Sequence, residues 1–332
     1  MPHHHDHLHN PNNPCDDLDD RSRRHSRQTP ERPTQEPVPL SVWACAQQPA
    51  AFQRRGRYLP GSTAHPAKML PAVAAAAITA YTQPGDIVLD PMCGIGTTLV
   101  EAAHLGRTGI GIECEPRWAE LARANLDHAR DHGATESGAI ICGDARNAAA
   151  LVTDPHLAGQ VALLLTSPPY GQTTHGQVRS SRDSGQPGIH KSDYGYGTSP
   201  HNLARGSHTR LLSGFTDILA GCLPLLRPGG IVAITTRPFR RHGHLINFPG
   251  QVWEAAQDAG LEPLQRLIAL LCGIKNDRLV PRASFFAMHE TRRARQAGTP
   301  LHVVAHEDVL VLRKRTAIAE HPGGPPDAGA TS

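Results

Sequence analysis

The sequence predicts an α/β fold: a mostly parallel β-sheet with helices on both faces. Three observations carry this. Short β-branched or apolar runs alternate with helically spaced segments over most of the 332 residues. The run VALLL, residues 161–165, is apolar without alternation, as a strand covered on both faces requires. A loop with two glycines, Pro91–Gly96, joins the first strand to the helix that follows. Open α/β sheets bind ligands at such a junction.

Taken in order, residues 1–40 read as a disordered polar arm. His, Asp, Arg, Pro and Asn dominate, and there is too little apolar surface to order it. The opening MPHHHDHLHNPNNP is assigned to that arm rather than to a metal tract, and no metal site is expected. Residues 41–64 read as a linker carrying Arg54, Arg55 and Arg57. Residues 65–315 read as a single domain. Pro71 suits a first helical turn, the Ala-rich run after it is a good helix former, and Pro84-Gly85 ends it. Strands are expected at Asp86–Asp90, Thr108–Glu113, Ala139–Asp144 and through VALLLTS. Helices are expected over TTLVEAAHLGR, closing near Gly106, and over RWAELARANLDHARDHG. Gly171 to Ser207, rich in Gly, Ser, His and Thr, breaks the rhythm and reads as an insertion on the substrate side. Order resumes with a helix from Thr209 to Leu226, RPGG as a turn, and the strand IVAITT. A helix from Val252 to Ala259 and strands in LQRLIALLC and EDVLVLRK complete the domain. Residues 316–332 read as a second disordered tail.

Bulk properties narrow the classes. A net charge of +3 excludes a polycation, so local distribution matters more. Between Asp217 and Glu254 no acidic residue occurs, while Arg227, Arg237, Arg240 and Arg241 do; Arg292, Arg293 and Arg295 form a second basic group. The seven cysteines show no CxxC pair, which suits a reducing compartment. No apolar run approaches the ~20 residues that cross a bilayer, and no secretory signal is evident, so a cytoplasmic location away from membranes is expected.

The chemistry sits at strand ends. DPMCGIGTT follows the first strand and opens a helix. A dehydrogenase fingerprint would need a third glycine where Leu99 stands, which turns the loop away from NAD. Glu113 ends the second strand, where a carboxylate can accept from a ribose diol. Asp144 ends the third, where it can accept from an adenine amine. With Asp90, three acids at three successive strand ends outline a pocket for an adenosine held without a phosphate clamp. The fourth strand stops at Thr166-Ser167-Pro168-Pro169-Tyr170-Gly171; two prolines cannot continue a strand and hold the backbone in a fixed direction.

DPMCGIGTTLVEA followed by TSPPYG resembles the amino-methyltransferases of DNA, which methylate the exocyclic amine of cytosine or adenine. The resemblance covers about His65 to Arg315 and implies a class I, Rossmann-like methyltransferase sheet with S-adenosyl-L-methionine as cofactor. It implies cofactor contacts from Asp90, Pro91, Cys93, Gly94, Gly96, Thr97, Thr98, Glu113 and Asp144. His65 and Lys68, in HPAK, resemble the segment over the cofactor's methionine end, although Met69 stands where family members often carry Pro. HEDVLVLRK, His306 to Lys314, resembles the family's closing strand. Ser167, Pro168, Pro169 and Tyr170 are implied as the catalytic step. A base amine is a poor nucleophile because its lone pair is delocalised into the ring. The Ser167 hydroxyl and the Pro168 carbonyl would accept its two N–H bonds and localise that pair, and Tyr170 would stack on a base flipped from duplex DNA. Cys93 has no nucleophilic part in this chemistry. Ser at the first position points to N4 of cytosine. The resemblance also implies DNA as partner and, in a restriction-modification setting, a cognate endonuclease.

Four other readings remain. One is N6 methylation of adenine in DNA. Another is an RNA guanine N2-methyltransferase, which usually carries Asp at the first position and a dedicated RNA-binding domain. A third is a nucleic-acid-binding module without catalysis. The fourth is a protein methyltransferase acting on an amide nitrogen, although that pattern normally starts with Asn.

Overall fold

The computed structural model describes residues 38–136, 138–170, 196–241, 243–283 and 285–316, plus the backbone of two short strands at 177–179 and 190–192. Almost all of the arm and tail, and residues 171–195 of the insertion apart from those two strands, lie outside the described residues.

The strands are β1 (Val42–Trp43), β2 (Ile87–Asp90), β3 (Thr108–Glu113), β4 (Gly138–Cys142), β5 (Val161–Thr166), β6 (Gln177–Arg179), β7 (His190–Ser192), β8 (Leu226–Thr236), β9 (Phe239–Arg241), β10 (His244–Ile246), β11 (Leu261–Leu270), β12 (Cys272–Lys275), β13 (Arg278–Pro281) and β14 (His306–Lys314). Eight form the central sheet, in the order β1-β11-β14-β8-β5-β2-β3-β4. All neighbours run parallel except β14, which is antiparallel to both β8 and β11. Seven strands, β1, β2, β3, β4, β5, β8 and β11, therefore point their C-terminal ends at one edge. β14 brings its N-terminal end, His306 and Glu307, to that same edge.

The unbroken apolar run of β5 has a direct cause. Val161 to Leu165 are wholly buried, and alternate residues serve opposite faces. Leu164 joins one core cluster with Phe215 and Phe248, from helices His208–Cys222 and Phe248–Asp258. Leu163 and Leu165 join the other, with Val73, Ala77 and Ile78 of helix Pro71–Tyr81. With both faces covered, residues 161–165 are all apolar, and the buried Thr166 at the strand's end has its hydroxyl satisfied by Asp90.

Two expectations change. RPGG does not end an element: β8 runs through it as an irregularity. Val161 pairs with Leu226, but Leu163 already pairs with Ile231, and Gly229 takes a positive φ of 71°. Residues 41–64 contain β1, the helix Ala50–Arg54 and a 3-10 helix at Pro60–Ala64, and they pack on the domain. The Tyr58 hydroxyl donates to Glu101 Oε1 at 2.7 Å, and the Leu59 amide donates to Asn125 Oδ1 at 2.9 Å. The basic stretch after β8 forms the β9–β10 hairpin, and Arg292, Arg293 and Arg295 lie exposed on helix Phe285–Gln296.

Candidate active site

The loop after β2 is a small hydrogen-bonded frame. Asp90, the last residue of β2, is 4% exposed. Its Oδ1 accepts from the Thr166 hydroxyl at 3.0 Å and the Met92 amide at 3.1 Å; its Oδ2 accepts from the Thr98 hydroxyl at 2.6 Å. Asp90 thereby ties β2 to the end of β5 and to the helix Thr97–His104. Burial pushes its carboxyl up to about 6, against the opposing pull of those three bonds. Gly94 and Gly96 have φ of 53° and 79°, conformations that a side chain resists. A β-carbon at Gly94 would also lie 3.1 Å from His65 Nε2. The Cys93 thiol is buried against Gly111 and its pKa is raised by burial, so it packs the loop.

Glu113 closes the frame from β3. Its Oε2 accepts from the Gly94 amide at 2.8 Å and its Oε1 from the Glu115 amide at 2.9 Å. Burial raises its carboxyl, and the two amides counter that. Asp144, just beyond β4, is ion-paired with Arg146 at 2.7 Å, and His201 Nδ1 lies 3.0 Å from its carboxylate. Partial burial works against its charge, but the bonds from Arg146 and its amide hold it below the usual carboxylate range.

His65 stands edge-on to Trp118, with ring centroids 4.7 Å apart, and to Tyr196 at 5.7 Å. The Lys68 ammonium donates to the His65 carbonyl at 2.6 Å; burial and the nearby Arg54 bring it down to about 8.

Beyond β5, Ser167 and Pro169 are half-buried and Pro168 is buried. Tyr170 is 8% exposed and packs with Phe248 at 5.3 Å and Phe239 at 5.9 Å, with the Arg237 guanidinium 5.6 Å from its ring centre. The ring is thus more deeply held than a free stacking platform, although it still lines the cavity.

One cavity of about 450 Å³ joins these groups. His65, Lys68, Asp90, Pro91, Cys93, Gly94, Thr97, Thr98, Glu113 and Asp144 line it together with Ser167 to Tyr170. Gly96 does not reach it; its close neighbour is Ala122, 3.2 Å from an added β-carbon, so it serves helix packing.

The sequence alone did not reveal three groups of lining residues. Tyr196, His201 and Asn202 come from the end of the insertion, and Ala46, Gln48 and Arg54 from the presumed linker. Arg237, Arg282 and Glu307 complete the wall opposite the glycine loop. The 196–202 segment is fixed by Glu115, which accepts from the Thr198 and Ser199 amides and from Asn202 Nδ2 at 3.1, 2.9 and 2.8 Å. Two of those donors are backbone groups, which every residue supplies and no sequence pattern marks.

The donor set fits an adenosine-bearing sulfonium cofactor. A paired acid and glycine loop at the β2 and β3 ends offers acceptors to hydroxyls and amines, and Met69, Ile95 and Trp118 add apolar surface beside the charged groups.

A family model described as DNA methylase matches residues 4–124. That span holds HPAK, the glycine loop and Glu113, but neither Asp144 nor Ser167–Tyr170. A tRNA (guanine(10)-N2)-dimethyltransferase of Methanothermobacter thermautotrophicus is 34% identical over 108 residues, 32% of this chain and 29% of that protein. The Type II methyltransferase M.HpaI of Haemophilus parainfluenzae is 41% identical over 63 residues, 19% of this chain and 20% of that protein. The matches thus span less than a third of the length of these relatives. Among solved structures, TrmN from Thermus thermophilus aligns with a TM-score of 0.43 at 20% identity, covering 79% of this chain and 53% of that one. Residues 4–124 are thus similar to the DNA methylase family, a likeness that implies S-adenosyl-L-methionine as cofactor, and the sheet that carries them is the mostly parallel α/β sheet expected from the sequence.

Proposed function

We propose that the protein methylates the exocyclic amine of a base in DNA, with N4 of cytosine as the favoured target, by direct transfer to a base turned out of the duplex. The observation that carries this reading is the meeting of the Asp90–Gly94–Glu113 frame and the Ser167-Pro168-Pro169 step in one cavity. The cofactor, when bound, supplies a methyl group on a positively charged sulfur.

The chain's own residues do the rest. Glu113 and Asp144 hold the nucleoside end and His65 and Lys68 the other end. The Ser167 hydroxyl and Pro168 carbonyl accept the amine's hydrogens and turn its lone pair toward the methyl. Most of the rate gain then comes from alignment within a fixed pocket. Tyr170, braced by Phe239 and Phe248, forms a wall for the base, and Arg237 beside it can meet a phosphate or the base edge.

The tRNA-modifying relative favours a second reading, guanine N2 methylation in RNA. Incubation with methyl-labelled cofactor and either duplex DNA or transfer RNA, followed by nucleoside chromatography, separates the two. Labelled N4-methylcytosine in DNA supports the first reading; label in RNA alone overturns it. Labelled N6-methyladenine would keep the DNA reading and change the base.

A further inference from the structure

Loss of an amine proton accompanies methylation, and neither a serine hydroxyl nor a proline carbonyl can retain it. The carboxylates at the cofactor end are already committed. Asp90 accepts three hydrogen bonds, Glu113 two amides, Glu115 three donors, and Asp144 pairs with Arg146 and His201.

Glu307 differs. It lines the same cavity from the wall that carries Arg237 and Tyr170, and among the described residues no hydrogen bond or salt bridge engages its carboxylate. Its position follows from the sheet. Asp308 pairs with Thr236 on β8, so Glu307 lies one step further toward the edge, beside Arg237. Ser167 extends β5, the strand on the other side of β8. Two strand spacings separate their backbones by roughly 10 Å, room for a base between the two side chains.

We propose that Glu307 is a catalytic residue, the acceptor of the proton released from the base amine. This rests on the functional reading above. The nitrogen lone pair forms the N–CH₃ bond while the S–CH₃ pair passes to sulfur. The N–H pair returns to nitrogen, and the proton passes to a Glu307 carboxylate oxygen, directly or through one water, and then to solvent.

The surroundings suit the task. Burial raises the carboxyl above the usual glutamate range, the Arg237 guanidinium moderates that rise, and Asp308 adds to it. Tyr170 and Cys45 also face it, with Arg282 on the same wall. A base with its pKa nearer neutrality is the more effective proton acceptor.

The test compares single-turnover methylation by wild type, E307Q and E307D between pH 5.5 and 9, cofactor affinity by calorimetry, and a carboxyl ¹³C titration of Glu307 in the free protein. We expect E307Q to be about 100-fold slower or worse, without the acidic limb seen in wild type, and with unchanged cofactor affinity. E307D should retain that limb. The titration midpoint in the free protein should lie above the ordinary glutamate value and follow the limb. An E307Q enzyme that keeps the wild-type rate or the acidic limb overturns the role of Glu307 alone. A wild type that methylates neither DNA nor RNA overturns the functional reading, and the proposal with it.

Discussion

Gly197 and Glu115 are fitted to one another: a β-carbon on Gly197 would stand 2.0 Å from the Glu115 carboxyl carbon. The backbone at 197, with a φ of 149°, passes directly over a buried carboxylate that binds the next two amides. This contact holds Tyr196, His201 and Asn202 on the cavity wall.

Gly197→Ala must therefore displace either the carboxylate or the segment. Glu115→Ala leaves three donors without their acceptor, a loss of about 3 kcal/mol of stability. Both variants should show faster hydrogen exchange at the Thr198 and Ser199 amides and weaker cofactor binding. Unchanged exchange at those amides would show that the segment is held by other contacts.

Asp90 makes stability depend on pH. Its folded-state carboxyl, near 6, lies above its ordinary value of 3.8, so the folded chain binds this proton more tightly than the unfolded chain. The contribution is fully present below about pH 4 and is lost as pH rises to about 6, a change of about 3 kcal/mol. Asp90→Asn removes that component. Urea unfolding at pH 4 and pH 7 checks it: the wild-type-minus-variant difference in free energy should shift between the two, and a constant difference contradicts the assignment.

Glu113 and Gly94 should govern cofactor affinity. Glu113→Ala removes the acceptor for two loop amides and an acceptor for the ligand, and we expect binding about 10- to 100-fold weaker by calorimetry. Gly94→Ala combines an unfavourable positive φ with a β-carbon against the His65 ring, and should weaken binding by a similar factor. Retained affinity in both would move the cofactor away from this frame.

Ser167→Ala separates chemistry from binding. The hydroxyl lies beyond the loop proposed to hold the cofactor, so affinity for S-adenosyl-L-methionine should stay within about twofold. Methyl transfer should fall by about 100-fold if the hydroxyl is a positioned acceptor in the transition state. Equal losses in binding and rate would instead assign Ser167 to the cofactor pocket.

Much of this was legible in the residues themselves. The alternation of strands and helices, the continuous apolar β5, and the acids at strand ends follow from local chemistry: period, branching, glycine freedom and the rigidity of Pro168-Pro169. Sequence reasoning went astray where local signals pointed the wrong way. RPGG has the composition of a turn, yet β8 absorbs it because the apolar residues on either side remain paired with β5. Residues 41–64 have linker composition, yet the Tyr58 hydroxyl and the Leu59 amide find buried partners far along the chain.

The sequence by itself therefore determined the sheet, the glycine loop after β2 and the Ser167–Tyr170 step at the end of β5, because each depends on residues close together in the chain. The tertiary structure decided the rest of the cavity wall. Glu115 reaches 84 positions along the chain to Ser199. Glu307 stands beside Arg237 only because β14 runs antiparallel to β8. Asp144 is paired with both Arg146 and His201 rather than left as a bare acceptor. Contacts of that range rest on backbone amides and strand order, and neither leaves a pattern in the sequence of side chains.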